Sequence, residues 1–205
     1  MKKVIGSMVS VICLLAGSVT VHAADLEKIK KQCAECHEKD GNSKDDNTPR
    51  IAGMSKAYLK LGMEDYLNDK RPARTVKRKD KPDTDMKKVL KDLSKDDIEQ
   101  IAEYFSKQKY QTVKQKFDAG LASGGDDIHN KYCRKCHEQI GRSPSDDAGY
   151  LGGQHLDYLK YTFDNFQKGK RAMPKKMKKK WEKMVEKDGD KVLEQLLNYY
   201  ASVQD

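Results

Sequence analysis

The sequence predicts an all-α protein built from two copies of one unit. Apolar residues recur at helical spacing in several segments, of which Ser55–Leu67 is a clear example. No run of alternating apolar and polar residues is long enough to predict a strand. The sequence aligns with itself when it is shifted by 100 positions, and the alignment has no gap around the repeated cysteine motif. This self-similarity indicates an internal duplication.

That motif is Cys-x-x-Cys-His, found at residues 33–37 and again at residues 133–137. It is the attachment sequence of a c-type haem, in which two thiols add to the haem vinyl groups and the histidine ligates the iron. Two copies of the motif in matching surroundings indicate haem attachment much more specifically than one copy would. The residues predicted to hold two covalently bound haem c groups are Cys33, Cys36, Cys133 and Cys136 for the thioether bonds, and His37 and His137 for the irons.

The repeat extends well beyond the motif. The same shift aligns Tyr58–Lys60 with Tyr158–Lys160. We therefore expect an N-terminal domain over residues 24–110 and a C-terminal domain over residues 111–205. Domains of this size have small cores, so a buried porphyrin would supply much of the apolar interior of each.

Each unit is expected to contain three helices. The predicted helices are Asp25–Gln32, Ser55–Leu67 and Ser94–Phe105 in the first unit, and Asp126–Lys131, His155–Phe166 and Val192–Ala201 in the second. Ser94 and Asp97 have the spacing of a capping box, with Asp in place of the preferred Glu. The basic segment at 69–85 has no apolar period and is predicted to be a loop, and no helix is predicted for the matching stretch of the second unit.

The N-terminus has the pattern of a secretory signal peptide over residues 1–23. Two lysines precede an apolar run from Val4 to Val21, and a small residue follows at Ala23. We expect cleavage after Ala23 and a periplasmic mature protein. A retained membrane anchor is the alternative, because the run is marginally long enough to span a bilayer.

The cysteines leave no room for a disulfide. The chain has five, of which Cys13 lies in the predicted signal peptide and the other four lie in the two motifs. A redox dithiol or a zinc site is the other known use of Cys-x-x-Cys. The histidine directly after each pair, in an exported chain, favours haem instead.

The charge suggests the class of partner. The formal net charge is +9, and it falls to +7 on cleavage because residues 1–23 contain two lysines and no acid. Such a protein could bind an acidic protein, an anionic membrane surface or nucleic acid. Export and the lack of interleaved aromatic and basic residues disfavour nucleic acid. We expect acidic redox proteins as partners and, at most, a peripheral membrane contact.

The basic residues are concentrated in two runs. Residues 168–183 contain nine Lys and Arg against one acid, and residues 70–91 are also rich in Lys and Arg. An ordinary solvated face is one interpretation. The other is a docking surface, because a patch of one sign near a redox centre speeds and orients encounter with an acidic partner.

A haem that only carries electrons needs a sixth ligand, usually a methionine or a second histidine. The spare histidines are few: His22 leaves with the signal peptide, and His129 lies on the attachment helix, where it cannot reach the opposite haem face. His155 begins a helix and is expected to be a surface or hydrogen-bonding residue. Methionine must therefore supply at least one sixth ligand.

Three methionines are available in each unit. The candidates are Met54, Met63 and Met86 in the first unit and Met173, Met177 and Met184 in the second. Met86 is favoured because it precedes the last helix in an irregular segment that could fold over a haem. Met177 is favoured over Met173, whereas Met184 is expected to pack in the core.

Further short motifs surround the haem sequences. They include Ile51-Ala52-Gly53, Leu151-Gly152-Gly153-Gln154 and Gly169-Lys170-Arg171. Together with the paired Cys-x-x-Cys-His motifs, they resemble the dihaem class I c-type cytochromes of bacterial periplasms. That family includes the cytochrome c-four group and the dihaem cytochrome subunit of flavocytochrome c sulfide dehydrogenase; the Met173–Met177 segment and the Tyr199–Ser202 ending are closer to the second group.

The resemblance implies two tandem class I cytochrome c domains and His/Met ligation of each iron. In the family the ligating methionine stands eight residues before the capping Ser of the last helix, as Met86 does before Ser94. Met177 matches the corresponding position of the second unit if about four residues are inserted between it and the last helix. The family also has a proline after the haem motif whose carbonyl accepts a hydrogen bond from Nδ1–H of the proximal histidine. Pro49 matches this proline. Gly149 stands at that position in the second unit.

Three functions are considered. The first is a carrier of single electrons between redox partners, and the second is the haem subunit of a sulfide-oxidising flavocytochrome. The third is a dihaem peroxidase-like enzyme with one open iron, which the short chain and the methionines in each half disfavour. No catalytic constellation is visible in the sequence.

Overall fold

The computed structural model describes residues 23–204, and the predicted signal peptide lies outside them except for Ala23. Within that range the regular elements are helical, and the β pairing is confined to an isolated bridge between Val76 and Thr84. The α-helices are α1 (Ala23–His37), α2 (Lys56–Leu67), α3 (Met86–Leu90), α4 (Lys95–Ser106), α5 (Ala119–Ile128), α6 (Glu138–Gly141), α7 (Leu156–Gln167), α8 (Lys175–Asp188) and α9 (Val192–Ser202). A π-helical turn (His129–Cys133) and a 3-10 turn (Pro144–Asp146) complete the set.

The first unit packs α1 and α2 against α4, with the short α3 beside α2. Ser94 caps α4 together with Asp97, as the predicted capping box requires. The core of the unit is formed by Ile29, Met54, Leu59, Ile101, Ala102 and Phe105, joined by Tyr150 from the second unit. Its helices therefore enclose an apolar interior that one side chain of the neighbouring unit helps to close.

The second unit repeats this plan with α5, α7 and α9, and adds α8. One pair of equivalent hydrogen bonds marks the repeat. Gly53 N–H donates to the Phe105 carbonyl at 2.9 Å, and Gly153 N–H donates to the Tyr200 carbonyl at 2.8 Å. The core of the second unit is formed by Ile128, Tyr132, Tyr158, Leu159, Phe163, Met184, Val192, Leu196, Leu197 and Tyr200.

Several element boundaries differ from the sequence prediction. Helix α1 continues through the haem motif instead of ending before it, and α5 begins at Ala119 instead of near Asp126. Met86 begins the short helix α3, with Asp85 as its N-cap, so it does not lie in an irregular segment. The earlier start of α5 and the helical position of Met86 arise because the Asp118 and Asp85 side chains cap helices before the apolar period indicates one.

Helix α8 was not predicted. Met177, Trp181, Met184 and Val185 recur at helical spacing and pack against the second core. The rest of the helix is rich in lysine, which has good helix propensity. The charge of the segment obscured an apolar stripe that was present in the sequence.

The two units are joined by hydrogen bonds that use buried polar side chains. The Gln154 side chain accepts from Arg50 N–H and donates to the Arg50 carbonyl, each at 2.9 Å. His155 is only 2% exposed, with Nδ1 3.1 Å from an Asp46 carboxylate oxygen and Nε2 2.9 Å from the Ser43 carbonyl. Of the two roles expected for His155, surface or hydrogen-bonding, the structure shows the second, in a buried position. No helix among residues 23–204 is both long enough and apolar enough to cross a membrane.

Candidate haem-binding sites

The first unit contains an apolar cleft of about 1190 Å³, with the open space at its mouth included. Helix α1 presents the Cys33, Cys36 and His37 side chains to this cleft from one side. Helices α2, α3 and α4 form the opposite walls. The apolar and aromatic residues that line it include Ile51, Met54, Tyr58, Leu59, Met63, Tyr66, Val76, Met86, Val89, Leu90, Ile101, Ala102 and Phe105.

The orientation of His37 is fixed by the loop that follows α1. Its Nδ1 lies 3.0 Å from the Pro49 carbonyl, which can only accept, so Nδ1 carries the proton. Burial lowers the pKa of His37 and keeps the ring neutral. A neutral imidazole with a proton on Nδ1 has its lone pair on Nε2, which is the state that ligates a metal. The Pro49 contact expected from the family resemblance is present.

The thiols do not have the properties of a redox or metal-binding pair. Burial raises the pKa of Cys33 to about 12 and that of Cys133 to about 11. Reactive redox thiols have a lowered pKa, so these raised values disfavour a redox dithiol. No group of three or more His, Cys, Asp or Glu among residues 23–204 has an arrangement that could hold a metal ion. These observations disfavour the dithiol and zinc alternatives.

The structure brings the predicted Met86 into the same cleft as His37. Met54 and Met63, the alternatives from the sequence, also line it. They differ in burial, since Met54 is only 2% exposed within the core, and Met63 packs on the core from a partly buried position. Met86 stands apart from that core at the start of α3, which places its thioether on the cleft wall without a packing role in the core.

Arg71 is a site residue that sequence reasoning missed. Its guanidinium is buried in the cleft wall and has no carboxylate partner among the described residues. It donates to the Tyr158 hydroxyl at 2.6 Å and stacks over the Tyr66 ring at 4.6 Å. Buried charges are normally paired, so an unpaired cation in the wall suits an anionic group in the cleft, such as a porphyrin carboxylate. The sequence signal was the Lys70-Arg71 pair, which the shift by 100 positions aligns with Lys170-Arg171.

The surroundings of His137 in the second unit differ. Its Nδ1 is buried and has no hydrogen-bond partner among the described residues. Gly149 replaces Pro49 in the repeat, and its carbonyl does not accept from His137. A Cβ atom at Gly149 would lie 2.4 Å from the Tyr58 hydroxyl of the first unit, so a side chain at this position would require the Tyr58 ring to shift.

The methionines of the second unit are spread over α8 and the segment before it. Met184 is 2% exposed and belongs to the core, as predicted. Met177 packs against the same core from a partly buried position, as does the haem cysteine Cys133. Met173 precedes α8 and is half-buried. Met177 and Cys133 therefore both border the core of the second unit.

The residues of the first cleft fit a haem. The cleft has a long apolar lining, two thiols and a neutral, oriented imidazole on one wall, a thioether on another and a buried cation. Haem binding sites combine apolar walls with few polar contacts of this kind. A bound haem would supply an iron that changes oxidation state by one electron.

Comparison with known proteins agrees with this geometry. A family model described as cytochrome c matches residues 27–109, within the first unit. Cytochrome c4 of Pseudomonas aeruginosa is 32% identical over 150 residues, which cover 68% of this chain and 68% of the relative. Cytochrome c4 of Stutzerimonas stutzeri is 34% identical over 152 residues, which cover 68% of this chain and 70% of the relative.

The similarity extends to three-dimensional structure. The crystal structure of reduced recombinant cytochrome c4 from Pseudomonas stutzeri superposes with a TM-score of 0.65 at 28% identity, covering 88% of this chain and 99% of that chain. The predicted two-domain class I cytochrome fold is thereby confirmed, as are two covalently bound haem c groups. The chain belongs to the cytochrome c4 family of dihaem class I cytochromes, which are electron carriers.

Proposed function

We propose that this protein is a periplasmic carrier that passes single electrons between redox proteins. Its irons are ligated by His37 and Met86 in the first unit and by His137 and Met177 in the second. The observation that carries the proposal is the shared cleft of the first unit, where Met86 and an oriented, neutral His37 line the same apolar space. Two protein ligands leave an iron no open position for a substrate, which suits electron transfer and disfavours peroxidase-like chemistry.

The first unit offers a direct test of the sixth ligand. Met86→Ala is expected to abolish the near-infrared methionine-to-iron charge-transfer band of one haem and to open that iron to carbon monoxide. Met54→Leu and Met63→Leu are matched controls, because both side chains line the same cleft and both substitutions keep its apolar volume. If Met63→Leu removes the band and Met86→Ala does not, the assignment of Met86 is wrong.

The second unit is tested in the same way on α8. Met177→Leu is expected to remove the band of the second haem, because this side chain and Cys133 pack on the same core. Met173→Leu and Met184→Leu should leave the band intact. Met184→Leu also serves as a stability control, since Met and Leu have similar volumes and the site is fully buried. Loss of the band in Met173→Leu alone would move the assignment to Met173.

The periplasmic location rests on the N-terminal sequence pattern. N-terminal sequencing of the native protein is expected to begin at Ala24, and cell fractionation should recover it with periplasmic markers. A native chain that begins at Met1 and sediments with membranes would support the retained anchor instead.

The second candidate is the haem subunit of a sulfide-oxidising flavocytochrome. It is favoured by the Met173–Met177 segment and the Tyr199–Ser202 ending, which are closer to that group. Purification of the native protein under gentle conditions distinguishes the two functions. A stoichiometric flavin in the purified material identifies a subunit, and a flavin-free dihaem protein that reduces other redox proteins identifies a free carrier.

A further inference from the structure

The basic runs of the two units carry similar charge in sequence but differ in how much of it is neutralised. Residues 70–91 contain ten Lys and Arg against three acids, and residues 168–183 contain nine against one. The ion pairs of the first run are Lys77–Asp83, Arg78–Glu35, Lys81–Glu35, Lys87–Asp69, Lys88–Asp85 and Lys91–Asp92. Those of the second are Lys168–Asp164 and Lys178–Glu182. Positive charge is therefore largely compensated in the first unit and largely uncompensated in the second.

The difference begins inside the haem motifs themselves. Glu35 stands between the two cysteines of the first motif and binds Arg78 at 3.0 Å and Lys81 at 2.7 Å. The equivalent residue of the second motif is Lys135, and Arg134 precedes it. Both are exposed and neither has a carboxylate partner among the described residues. The same position thus neutralises the basic loop in one unit and adds positive charge in the other.

Helix α8 presents the remaining charge outward. Its apolar side chains pack inward, and its lysines are exposed along the other faces. Lys176, Lys180 and Lys183 stand at i, i+4 and i+7 and so share one flank of the helix. None of these three pairs with a carboxylate in the part of the chain that the structure describes. We call the surface formed by these exposed cations the α8 face, and its members are Arg134, Lys135, Lys175, Lys176, Lys179, Lys180 and Lys183.

The α8 face lies next to the second haem attachment site. Helix α8 packs against the π-helical turn that ends at Cys133. Cys136 is exposed, whereas both cysteines of the first motif are partly buried. The uncompensated cations therefore lie beside the attachment motif that has the more exposed second cysteine.

We infer that the α8 face is the docking surface for an acidic redox protein, and that electrons enter or leave through the second unit. This inference rests on the proposed function as an electron carrier. A cluster of one sign steers an oppositely charged protein and raises association rates by roughly 10 to 1000-fold, with a steep dependence on ionic strength. The first unit lacks such a cluster because its own carboxylates neutralise its lysines.

The test compares two charge reversals of equal size. One variant carries Lys176→Glu, Lys180→Glu and Lys183→Glu; the control carries Lys77→Glu, Lys79→Glu and Lys81→Glu in the first unit. All six lysines are exposed. The reduced cytochrome is mixed with oxidised plastocyanin, an acidic copper protein, and one electron passes to reduce Cu(II) to Cu(I). Stopped-flow absorbance gives the second-order rate at several ionic strengths, and circular dichroism with the haem spectrum checks that each variant is folded.

The α8 variant is expected to react about 10 to 100-fold more slowly at low ionic strength, and the control less than about threefold more slowly. A third variant, Glu35→Lys with Lys135→Glu, moves charge between the units at constant net charge and should also slow the reaction. Equal slowing by both triple variants, or no slowing by the α8 variant, overturns the inference.

Benzoquinone, a small neutral oxidant, shows whether a negative result refutes the docking surface or the proposed carrier function. Its reaction has no steering component, so all the variants should match the wild type. A wild-type protein that reduces neither benzoquinone nor plastocyanin refutes the carrier function. A wild-type protein that reduces both, at rates the α8 variant shares, refutes only the docking surface.

Discussion

The two histidines that follow the haem cysteines have different supports. His37 donates from Nδ1 to the Pro49 carbonyl at 3.0 Å, whereas His137 has a buried Nδ1 without a partner among the described residues. The second unit has Gly149 where the first has Pro49, and the ring of Tyr58 occupies the space that a side chain at this position would need. Among the described residues, the hydrogen bond to the proximal histidine is therefore present in the first unit and missing in the second, where the equivalent position packs against the neighbouring unit.

This difference shows how two copies of one unit diverge once they pack together. The hydrogen bonds that hold each unit internally are retained, such as Gly53 to Phe105 and Gly153 to Tyr200. Residues at the shared boundary are free to change because each faces a different neighbour. Ligand basicity depends on the hydrogen bond made by the other ring nitrogen, so the two irons are expected to differ in reduction potential.

The largest expected change in the free energy of unfolding comes from a substitution at Gly149. Gly149→Ala would place a Cβ atom 2.4 Å from the Tyr58 hydroxyl and 2.8 Å from its Cζ. Because Tyr58 packs against the first core, moving its ring to admit the methyl group disturbs that packing, so we expect a loss of about 1–3 kcal/mol in the free energy of unfolding, as for other overpacked sites. Chemical denaturation followed by circular dichroism measures it.

A double variant distinguishes steric conflict from loss of backbone freedom. Tyr58→Leu removes the ring from the space above Gly149, so Gly149→Ala should cost much less in the Tyr58→Leu background than alone. An unchanged cost in both backgrounds would mean that Tyr58 does not select glycine, and that the two units differ here for another reason.

A second comparison concerns the helix crossing in each core. His129 in the second unit aligns with Ile29 in the first. Tyr200 takes the place of Phe105, because their carbonyls accept from the equivalent N–H groups of Gly153 and Gly53. His129 Nδ1 lies 3.1 Å from the Tyr200 hydroxyl, and its Nε2 has no partner among the described residues. A buried polar pair in one unit thus replaces a buried apolar pair in the other.

Tyr200→Phe is expected to destabilise the second unit by about 1–3 kcal/mol, because the buried His129 ring loses its hydrogen-bond partner. The measurement is the denaturation midpoint of the holoprotein. The matched variant His129→Ile with Tyr200→Phe copies the apolar pair of the first unit. It should recover most of the loss, since replacing both partners leaves no polar group unsatisfied. A double variant less stable than Tyr200→Phe would contradict this account.

The sequence predicted the parts of the molecule that depend on local chemistry. The haem motifs, the capping box at Ser94 and the burial of Met184 each follow from spacing within a short segment. Helix α8 was missed because its charge outweighed an apolar stripe that occurs only once per turn. A hydrophobic-periodicity count over residues 175–188 would have found it.

What could not be predicted depends on contacts between residues far apart in the chain. Burial of His155 requires Ser43 and Asp46, more than 100 positions away, and the restriction at Gly149 requires Tyr58. Ion pairing likewise gives the two basic runs different net charge although their compositions are similar. Glu35 and Asp69 neutralise lysines of the first run, but both lie outside that run in sequence. Tertiary structure decides such partners, and composition does not reveal them.

The smallest expected effect is at the start of the last helix of each unit. Helix α4 begins at a capping box in which Ser94 and Asp97 bond reciprocally, whereas α9 begins after Lys191 without a side-chain cap. Ser94→Ala should cost about 1 kcal/mol in the free energy of unfolding. Lys191→Ala is the control and should change it by less than about 0.5 kcal/mol, as for an exposed site that makes no cap.

The pH dependence of this cost provides a further check. The Ser94 hydrogen bonds lower the pKa of Asp97 below its ordinary value of 3.8, so the carboxylate form is stabilised in the folded state. A carboxyl group whose pKa is lower in the folded than in the unfolded protein stabilises the folded state. That stabilisation is complete above the pKa of the unfolded state and is lost as the pH falls through the pKa of the folded state. The difference between wild type and Ser94→Ala should therefore be constant from pH 7 to about pH 5 and shrink below about pH 4. A difference that grows on acidification would show that the Asp97 carboxylate opposes the cap instead of forming part of it.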